Sequence, residues 1–196
     1  GVDNIDLNAA TDQEVVTRAR NGEEAAYREL VRRYERPVFS LVFRMVRNRE
    51  LAEDLSQDIF LKLHHALPKY DFGKNFTAWF LTLAKNTLID EYRRTKWEKK
   101  QRDEFDERFH AAAASDDPER ALAEEETRKI LWAGLNALPP DMRLAVILKE
   151  IQGKKYEDVA DILGLPVGTV KSRINRGRLQ LAKILKDRKE SAHDAL

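Results

Sequence analysis

The chain has no cysteine among its 196 residues. Disulfides and thiolate metal sites are therefore excluded, and a reducing cytoplasm is the expected location. Glycine (8) and proline (6) are scarce, which favours helices over a turn-rich β architecture. Apolar runs never exceed a few residues, far from the roughly 20 needed to span a bilayer, so no membrane insertion is expected. No basic-then-apolar leader opens the chain. Histidines are also few: His64 and His65 are adjacent and cannot share a helical face well, and His110 and His193 lie far away. No phosphate-binding glycine loop or nucleophile elbow occurs. The carboxylates Glu53, Asp54 and Asp58 lack a facing helix of ligands, so they read as solvated rather than metal-binding or acid–base groups. The expectation is a non-enzyme with no catalytic residues, metal, cofactor or small-molecule substrate.

Hydrophobic residues make up 42%, enough for a packed core, and charged residues make up 35%, so most surfaces are heavily solvated. The net charge of +1 hides a segregation. Residues 98–126 carry eleven acids and five bases, whereas residues 154–189 carry ten bases and four acids. A basic C-terminal end suits a polyanionic partner, although a solvated helical surface has the same composition.

Periodicity and end signals predict an all-α chain. Thr11 with Glu14 fits a capping box and opens a helix to about residue 20, ended by Asn21-Gly22. Residues 23–46 read as helix, with Pro37 marking a kink or a second start. Asn48 can cap a helix that stops at Leu67-Pro68. A loop over 69–75, centred on Gly73, precedes a long helix over 76–96. Residues 98–116 are densely charged and have no amphipathic stripe, which predicts a linker. Asp117-Pro118 looks like a cap followed by proline at the first helical position. Helices are then predicted over 118–137, 140–151, 156–163 and 167 to about 189.

The sharpest local pattern spans residues 156–176. Ala160, Gly164 and Val170 have helix-turn-helix spacing: a small residue where helices cross, a glycine for positive φ in the turn, and an apolar plug. At about 100° per residue, Val170, Ile174, Gly177 and Leu181 share one face, and Lys171, Ser172, Asn175, Arg176 and Leu179 share the other. Cations, a hydroxyl and an amide on one face suit base edges and phosphates in a major groove. Arg178 and Thr169 extend that set. The amides of Gly168, Thr169 and Val170 open the helix where a phosphate can sit. A plain helical hairpin with a basic face is the competing interpretation.

In the N-terminal half, Leu51, Leu55, Ile59 and Leu63 form a core stripe. Opposite them lie Asp54, Gln57, Asp58, Leu61 and His65. A leucine stranded on an acidic face fits docking to a basic protein, though a single exposed leucine is common. The next helix begins with Phe76, Trp79 and Phe80, read as core, and ends with Arg93 and Arg94. Tyr70, Phe72, Lys74 and Asn75 in the preceding loop, with Asn86, suit stacking on or pocketing an unpaired base.

The segments RELAEDLSQDIFLKLHHAL, FTAWFLTLAKNTLIDEYRR and LNALPPDMRLAVILKEIQGKKYEDVADILGLPVGTVKSRINRGR, in that order, resemble the extracytoplasmic-function sigma factors of bacterial RNA polymerase. The resemblance covers nearly the whole chain outside the linker and termini. It implies two small helical domains on a flexible linker: 1–97 for core polymerase and the minus-10 element, 98–117 as linker, and 118–196 with a helix-turn-helix for the minus-35 element. Carried over by position, Asp54, Gln57, Asp58 and Phe60 fall on the polymerase-binding motif, beside Leu61. Asn86 and the loop fall where such proteins trap a flipped promoter base, and Arg93 and Arg94 lie near the backbone. Lys171, Ser172, Asn175 and Arg176 match the readers of the minus-35 duplex. The implied partners are core RNA polymerase, promoter DNA and an anti-sigma factor. Lysine at 171 and asparagine at 175 depart from the family's frequent residues, and the loop KYDFGKN has no close match, so no promoter sequence is implied. A stand-alone operator-binding regulator is the main rival, but no heptad seam for a dimer is visible. A mimic that only titrates a partner is disfavoured by the basic reading helix.

Overall fold

The structure, a computed structural model, describes residues 6–95 and 117–194. The expected linker over 98–117 lies outside them up to residue 116. The described residues are helical, with no strand among them, and the chain divides into two compact units, Gly1–Arg102 and Asp103–Leu196. No helix among the described residues is long and apolar enough to cross a membrane.

The first unit packs α1 (Asp12–Arg20), α2 (Glu24–Val46), α3 (Arg49–Ala66) and α4 (Phe76–Thr95). Local chemistry sets its boundaries. The Glu14 amide donates to Thr11 Oγ1 at 3.3 Å and the Thr11 amide donates back to Glu14 Oε2 at 2.7 Å, completing the capping box. The Leu51 amide donates to Asn48 Oδ1 at 2.9 Å at the start of α3. Pro37 neither ends nor restarts α2; the helix runs through it, with Val38 and Leu41 buried just beyond. Leu30, Leu41, Met45, Ile59, Leu63, Phe80 and Leu88 are fully buried between the helices. The Tyr27 hydroxyl donates to the Phe60 carbonyl at 2.7 Å, tying α2 to α3.

A polar network fastens α1 to α2. Glu29 is nearly buried and accepts a fork from Arg32 at 2.7 and 2.8 Å and a bond from Arg33 at 2.7 Å. Arg33 also donates to Asp12 and to the Leu7 and Ala10 carbonyls, each at 2.8 Å. Hydrogen bonds from Arg32 first, then Arg33, hold the Glu29 carboxyl down at about 2. A depressed carboxylate stabilises the fold above its unfolded value of 4.5, and the contribution disappears as pH falls through that value toward about 2. Denaturant titrations should show the first unit losing stability across this window more steeply in the parent chain than in Glu29→Gln. Equal acid dependence in the two would remove Glu29 from the account. Tyr34 bridges Asp12 and Thr77, each at 3.1 Å, and its burial pushes the phenol up to about 12, keeping it a donor.

The second unit contains α5 (Pro118–Ala137), α6 (Pro140–Val146), a π turn (Ile147–Ile151), α7 (Tyr156–Leu163) and α8 (Val167–His193). Asp117 caps α5 by accepting from the Glu119 amide at 3.1 Å, with Pro118 at the first helical position. Buried Arg143 donates to the Asn136 and Leu138 carbonyls at 2.8 and 3.0 Å, satisfying the end of α5 from α6. Trp132, Leu135, Leu138 and Val146 form one core cluster, with Leu181 and Ile184 of α8 against it, and Ile147, Leu148, Val159, Val170 and Ile174 are also fully buried. The single helix expected over 140–151 opens into the π turn, where the Gln152 amide reaches the Ile147 carbonyl at 3.0 Å.

Glycines let α8 approach its neighbours. A Cβ on Gly177 would lie 2.6 Å from Val146 Cγ2 and 3.0 Å from Met142 Cγ. On Gly134 it would lie 2.6 Å from Leu181 Cδ1. Val146 is stiff and buried, whereas the Leu181 methyl ends a half-buried, mobile side chain. At position 177 overpacking of about 1–3 kcal/mol should outweigh the ~1 kcal/mol helix gain of alanine over glycine. Gly177→Ala should therefore lower the unfolding midpoint and Gly134→Ala should not; the reverse order would refute the close-approach assignment.

Candidate functional site

The helix-turn-helix forms as its spacing predicts. α7 ends at Gly164 with φ +64°, and the Leu165 amide donates to the Ala160 carbonyl at 3.1 Å, closing the turn. Ala160, Val170 and Ile174 are buried, so the inward face of α8 is fixed. Thr169, Lys171, Ser172, Asn175, Arg176 and Arg178 are exposed on the rest of the helix, beside Leu179 at 72% exposure. Pro166 precedes α8 with no side-chain cap. The Val170 amide, expected to be open, is taken by the Pro166 carbonyl at 3.1 Å as the first helical bond; the amides of Gly168 and Thr169 lie ahead of that bond.

Several of these side chains are held by neighbours. Ser172 Oγ donates to the Gly168 carbonyl at 3.1 Å. Lys171 Nζ and Lys149 Nζ lie 5.4 and 4.5 Å from the Tyr156 ring centroid, where a cation is attracted to the aromatic face. Arg178 donates from Nε to Glu150 Oε1 at 2.7 Å and also from Nη2 to that oxygen, while Nη1 donates to Asn175 Oδ1 at 3.3 Å. The hydrogen bond to Glu150 is the main reason the guanidinium holds its proton more tightly than usual. No partner is recorded for Arg176 among the described residues. Glu150 carried no signal in the sequence, because a contact across 28 residues leaves no local pattern, and the same holds for Tyr156 beneath Lys171.

In the first unit, α3 turns Leu55, Ile59 and Leu63 inward and leaves Asp54, Gln57, His65 and Leu61 outward, the last at 57% exposure. Asp58 is half-buried and pairs with Lys62 at 3.1 Å; Lys62 also donates to Thr87 of α4 at 3.1 Å. Phe60 does not join the exposed set. Its ring packs 5.5 Å from Phe80, so it supports the acidic face from behind.

The loop before α4 differs from its expectation in two residues. Tyr70 is only 4% exposed: its ring packs 4.9 Å from Trp79 and 5.4 Å from Phe76, and its hydroxyl donates to the Lys74 carbonyl. It is a wedge beneath the loop and cannot stack on a base. Asn75 Oδ1 accepts the Ala78 amide at 3.0 Å, so this asparagine caps α4. Phe72, at 39% exposure, and Lys74 remain outward. Arg20 of α1 lies 4.6 Å from the Phe72 ring centroid and donates to the Pro68 carbonyl at 3.4 Å, a support the sequence did not signal. Asn86 is exposed midway along α4 and Arg93 near its end, while Arg94 forks onto Glu91 at 2.9 and 3.2 Å.

Residues 30–98 match the family description Sigma-70 region 2, and residues 128–181 match Sigma-70, region 4. The chain is 34% identical over 185 residues to the RNA polymerase sigma-H factor of Pseudomonas aeruginosa, covering 91% of this chain and 96% of that protein. It is 36% identical over 175 residues to the ECF RNA polymerase sigma-E factor of Escherichia coli K12, covering 86% and 91%. Its fold is similar to that of the sigma factor RpoE in complex with the anti-sigma factor NepR from Bartonella quintana, with a TM-score of 0.62 at 27% identity, covering 82% and 96%.

Proposed function

The chain belongs to the extracytoplasmic-function sigma factors, and from that premise we propose a division of labour among its residues. Residues 1–97 dock on core RNA polymerase and engage the minus-10 element, 98–117 link, and 118–196 read the minus-35 duplex. Asp54, Gln57, Asp58 and Leu61 make the polymerase contact, with Phe60 supporting them. Phe72, Lys74 and Asn86 meet the unpaired minus-10 strand, with Tyr70 and Asn75 shaping the loop and Arg93 and Arg94 near the backbone. Thr169, Lys171, Ser172, Asn175, Arg176 and Arg178 face the minus-35 groove. The chain acts in the cytoplasm, promotes initiation without enzymatic chemistry of its own, and is held in check by an anti-sigma factor, as the complexed Bartonella quintana relative is bound by one.

The observation that carries this reading is the outward face of α8. Lys171, Ser172, Asn175 and Arg176 are all exposed opposite Val170 and Ile174. Such a face matches groove readout by a recognition helix.

The test is reconstitution. Core polymerase with this chain should open a cognate promoter, measured by permanganate reactivity of unpaired thymines; the chain alone should not. Melting that needs no polymerase, or tight binding to symmetric duplex by the chain alone, would favour the operator-binding rival. In the same assay Arg176→Ala should weaken minus-35 binding by about 1–3 kcal/mol. An equal loss on scrambled duplex would reduce Arg176 to a phosphate contact.

A further inference from the structure

We propose that Arg20 of α1 grips a phosphate of the unpaired minus-10 strand, seated for that contact on the Phe72 ring. The inference rests on the reading that the loop before α4 meets this strand. Arg20 ends α1 and Phe72 lies in the loop, yet the guanidinium carbon is 4.6 Å from the ring centroid. Arg20 Nε donates to the Pro68 carbonyl at 3.4 Å, just ahead of the same loop. Tyr70 lies against the Phe72 ring from the other element of the loop's own packing, with centroids 5.4 Å apart. A cation and an aromatic ring from different parts of the chain are thus held together at the surface, where such pairs attract.

The Arg20 charge is not neutralised within the protein. Its neighbour Arg18 forks onto Glu23 at 2.6 Å, whereas no carboxylate among the described residues pairs with Arg20. Asp71, next to Phe72, accepts the Gly73 amide at 2.9 Å instead. Arg20 Nη1 and Nη2 donate to no group among the described residues, and neither is a buried unpartnered nitrogen, so both meet solvent. A guanidinium edge of this kind takes phosphate oxygens through paired bonds. Lys69 and Lys74, exposed on either side of Phe72 in the chain, add to the positive field. An aromatic face for a base, with cations along the backbone, is the combination that binds single strands. A nucleotide whose base meets Phe72 carries a phosphate on each side, next to a ring that already holds the guanidinium. The contact positions the strand without reading its sequence. Phe72 then serves both base and cation: it limits the freedom of the Arg20 side chain before the strand arrives, so less is lost on contact.

The test uses the full chain on core polymerase and a fluorescein-labelled single strand, the non-template minus-10 segment of a promoter that the holoenzyme opens. Affinity is read by anisotropy across a salt series, and co-elution with core reports an intact first unit in every variant. One phosphate contact on a single strand contributes about 0.7 to the slope of log affinity against log salt. Arg20→Gln should reduce the slope by that amount and weaken binding about fivefold at about 0.1 M salt, the factor to which such a slope change amounts there. Arg20→Lys keeps the charge and should keep the slope. In a Phe72→Leu background, which lacks the seat, adding Arg20→Gln should cost about twofold or less. On strands with one phosphate at a time replaced by a neutral methylphosphonate, one position should weaken the parent chain and leave Arg20→Gln unaffected. Affinity or slope unchanged in Arg20→Gln, weaker binding at an unchanged slope, an undiminished cost in Phe72→Leu, or no such methylphosphonate position would each overturn the assignment. Parental binding by Phe72→Leu, Lys74→Gln and Asn86→Ala together would instead strike down the underlying reading of the loop, and the same titrations tell the two failures apart.

Discussion

Asp58→Lys, and separately Leu61→Asp, should abolish assembly with core polymerase, measured by co-elution or fluorescence anisotropy, while leaving the thermal unfolding of the chain nearly unchanged. The asymmetry follows from where the two residues lie. Leu61 is more exposed to solvent than buried, so replacing it removes almost no packing. Asp58 is paired with Lys62 at 3.1 Å but remains half-exposed, and exposed ion pairs contribute only about 0–1 kcal/mol. Against a basic partner the balance is different. Truncating one member of a buried interfacial charge pair costs about 2–5 kcal/mol, and reversing its sign adds repulsion. A loss of some hundredfold or more in affinity is expected. In the proposed docking, Leu61 would supply the apolar centre that a ring of carboxylates alone lacks. Holoenzyme formation at parental affinity by both variants would remove α3 as the docking face, whatever became of promoter recognition.

The largest stability effect is expected at Phe80. The residue is fully buried, with ring centroids of Tyr34, Phe60 and Phe76 at 5.6, 5.5 and 5.9 Å. It joins α2, α3 and α4 in one contact. Phe80→Ala should destabilise the first unit by about 3–5 kcal/mol through lost transfer energy and the cavity left behind. Domains of this size are commonly stable by only about 5–15 kcal/mol, so a large share of that stability disappears. Tyr34→Phe is the control, since it retains the ring and removes only the hydroxyl bonds to Asp12 and Thr77, about 0.5–1.5 kcal/mol each. Equal unfolding midpoints for the two variants would contradict the packing described for Phe80.

The sequence made the helices legible because their ends are written in adjacent residues. Thr11 with Glu14, Asn48, and Asp117 before Pro118 act on amides two or three positions away, and each does so in the structure. Helical periodicity at about 100° per residue placed Val170 and Ile174 inward for the same reason, since period and face are properties of one helix. What escaped was non-local or double-valued. Asn75 carries the same signal as Asn48, yet a neighbourhood of aromatic and basic residues invited a base-contacting role; its side chain caps α4. Tyr70 sits in a polar loop but folds back beneath it, which only the positions of Phe76 and Trp79 reveal. Phe60 differs from its exposed neighbour Leu61 by one helical step, and the packing partner that claims it lies on α4. The π turn follows a stretch whose apolar pattern is indistinguishable from an ordinary helix, and Glu150 becomes informative only once the turn has delivered it to Arg178.

The loop before α4 is wired to itself. The Gly73 amide donates to Asp71 Oδ1 at 2.9 Å, the Lys74 amide to the Asp71 carbonyl at 3.0 Å, and Asn75 is committed to the next helix. Its shape is thus set during folding, before any ligand arrives. A strand captured there would lose its own configurational freedom while the receptor gives up little, so the entropy of capture should be dominated by the nucleic acid. Discrimination at this point would then resemble a rigid mould more than a clasp that tightens around whatever enters.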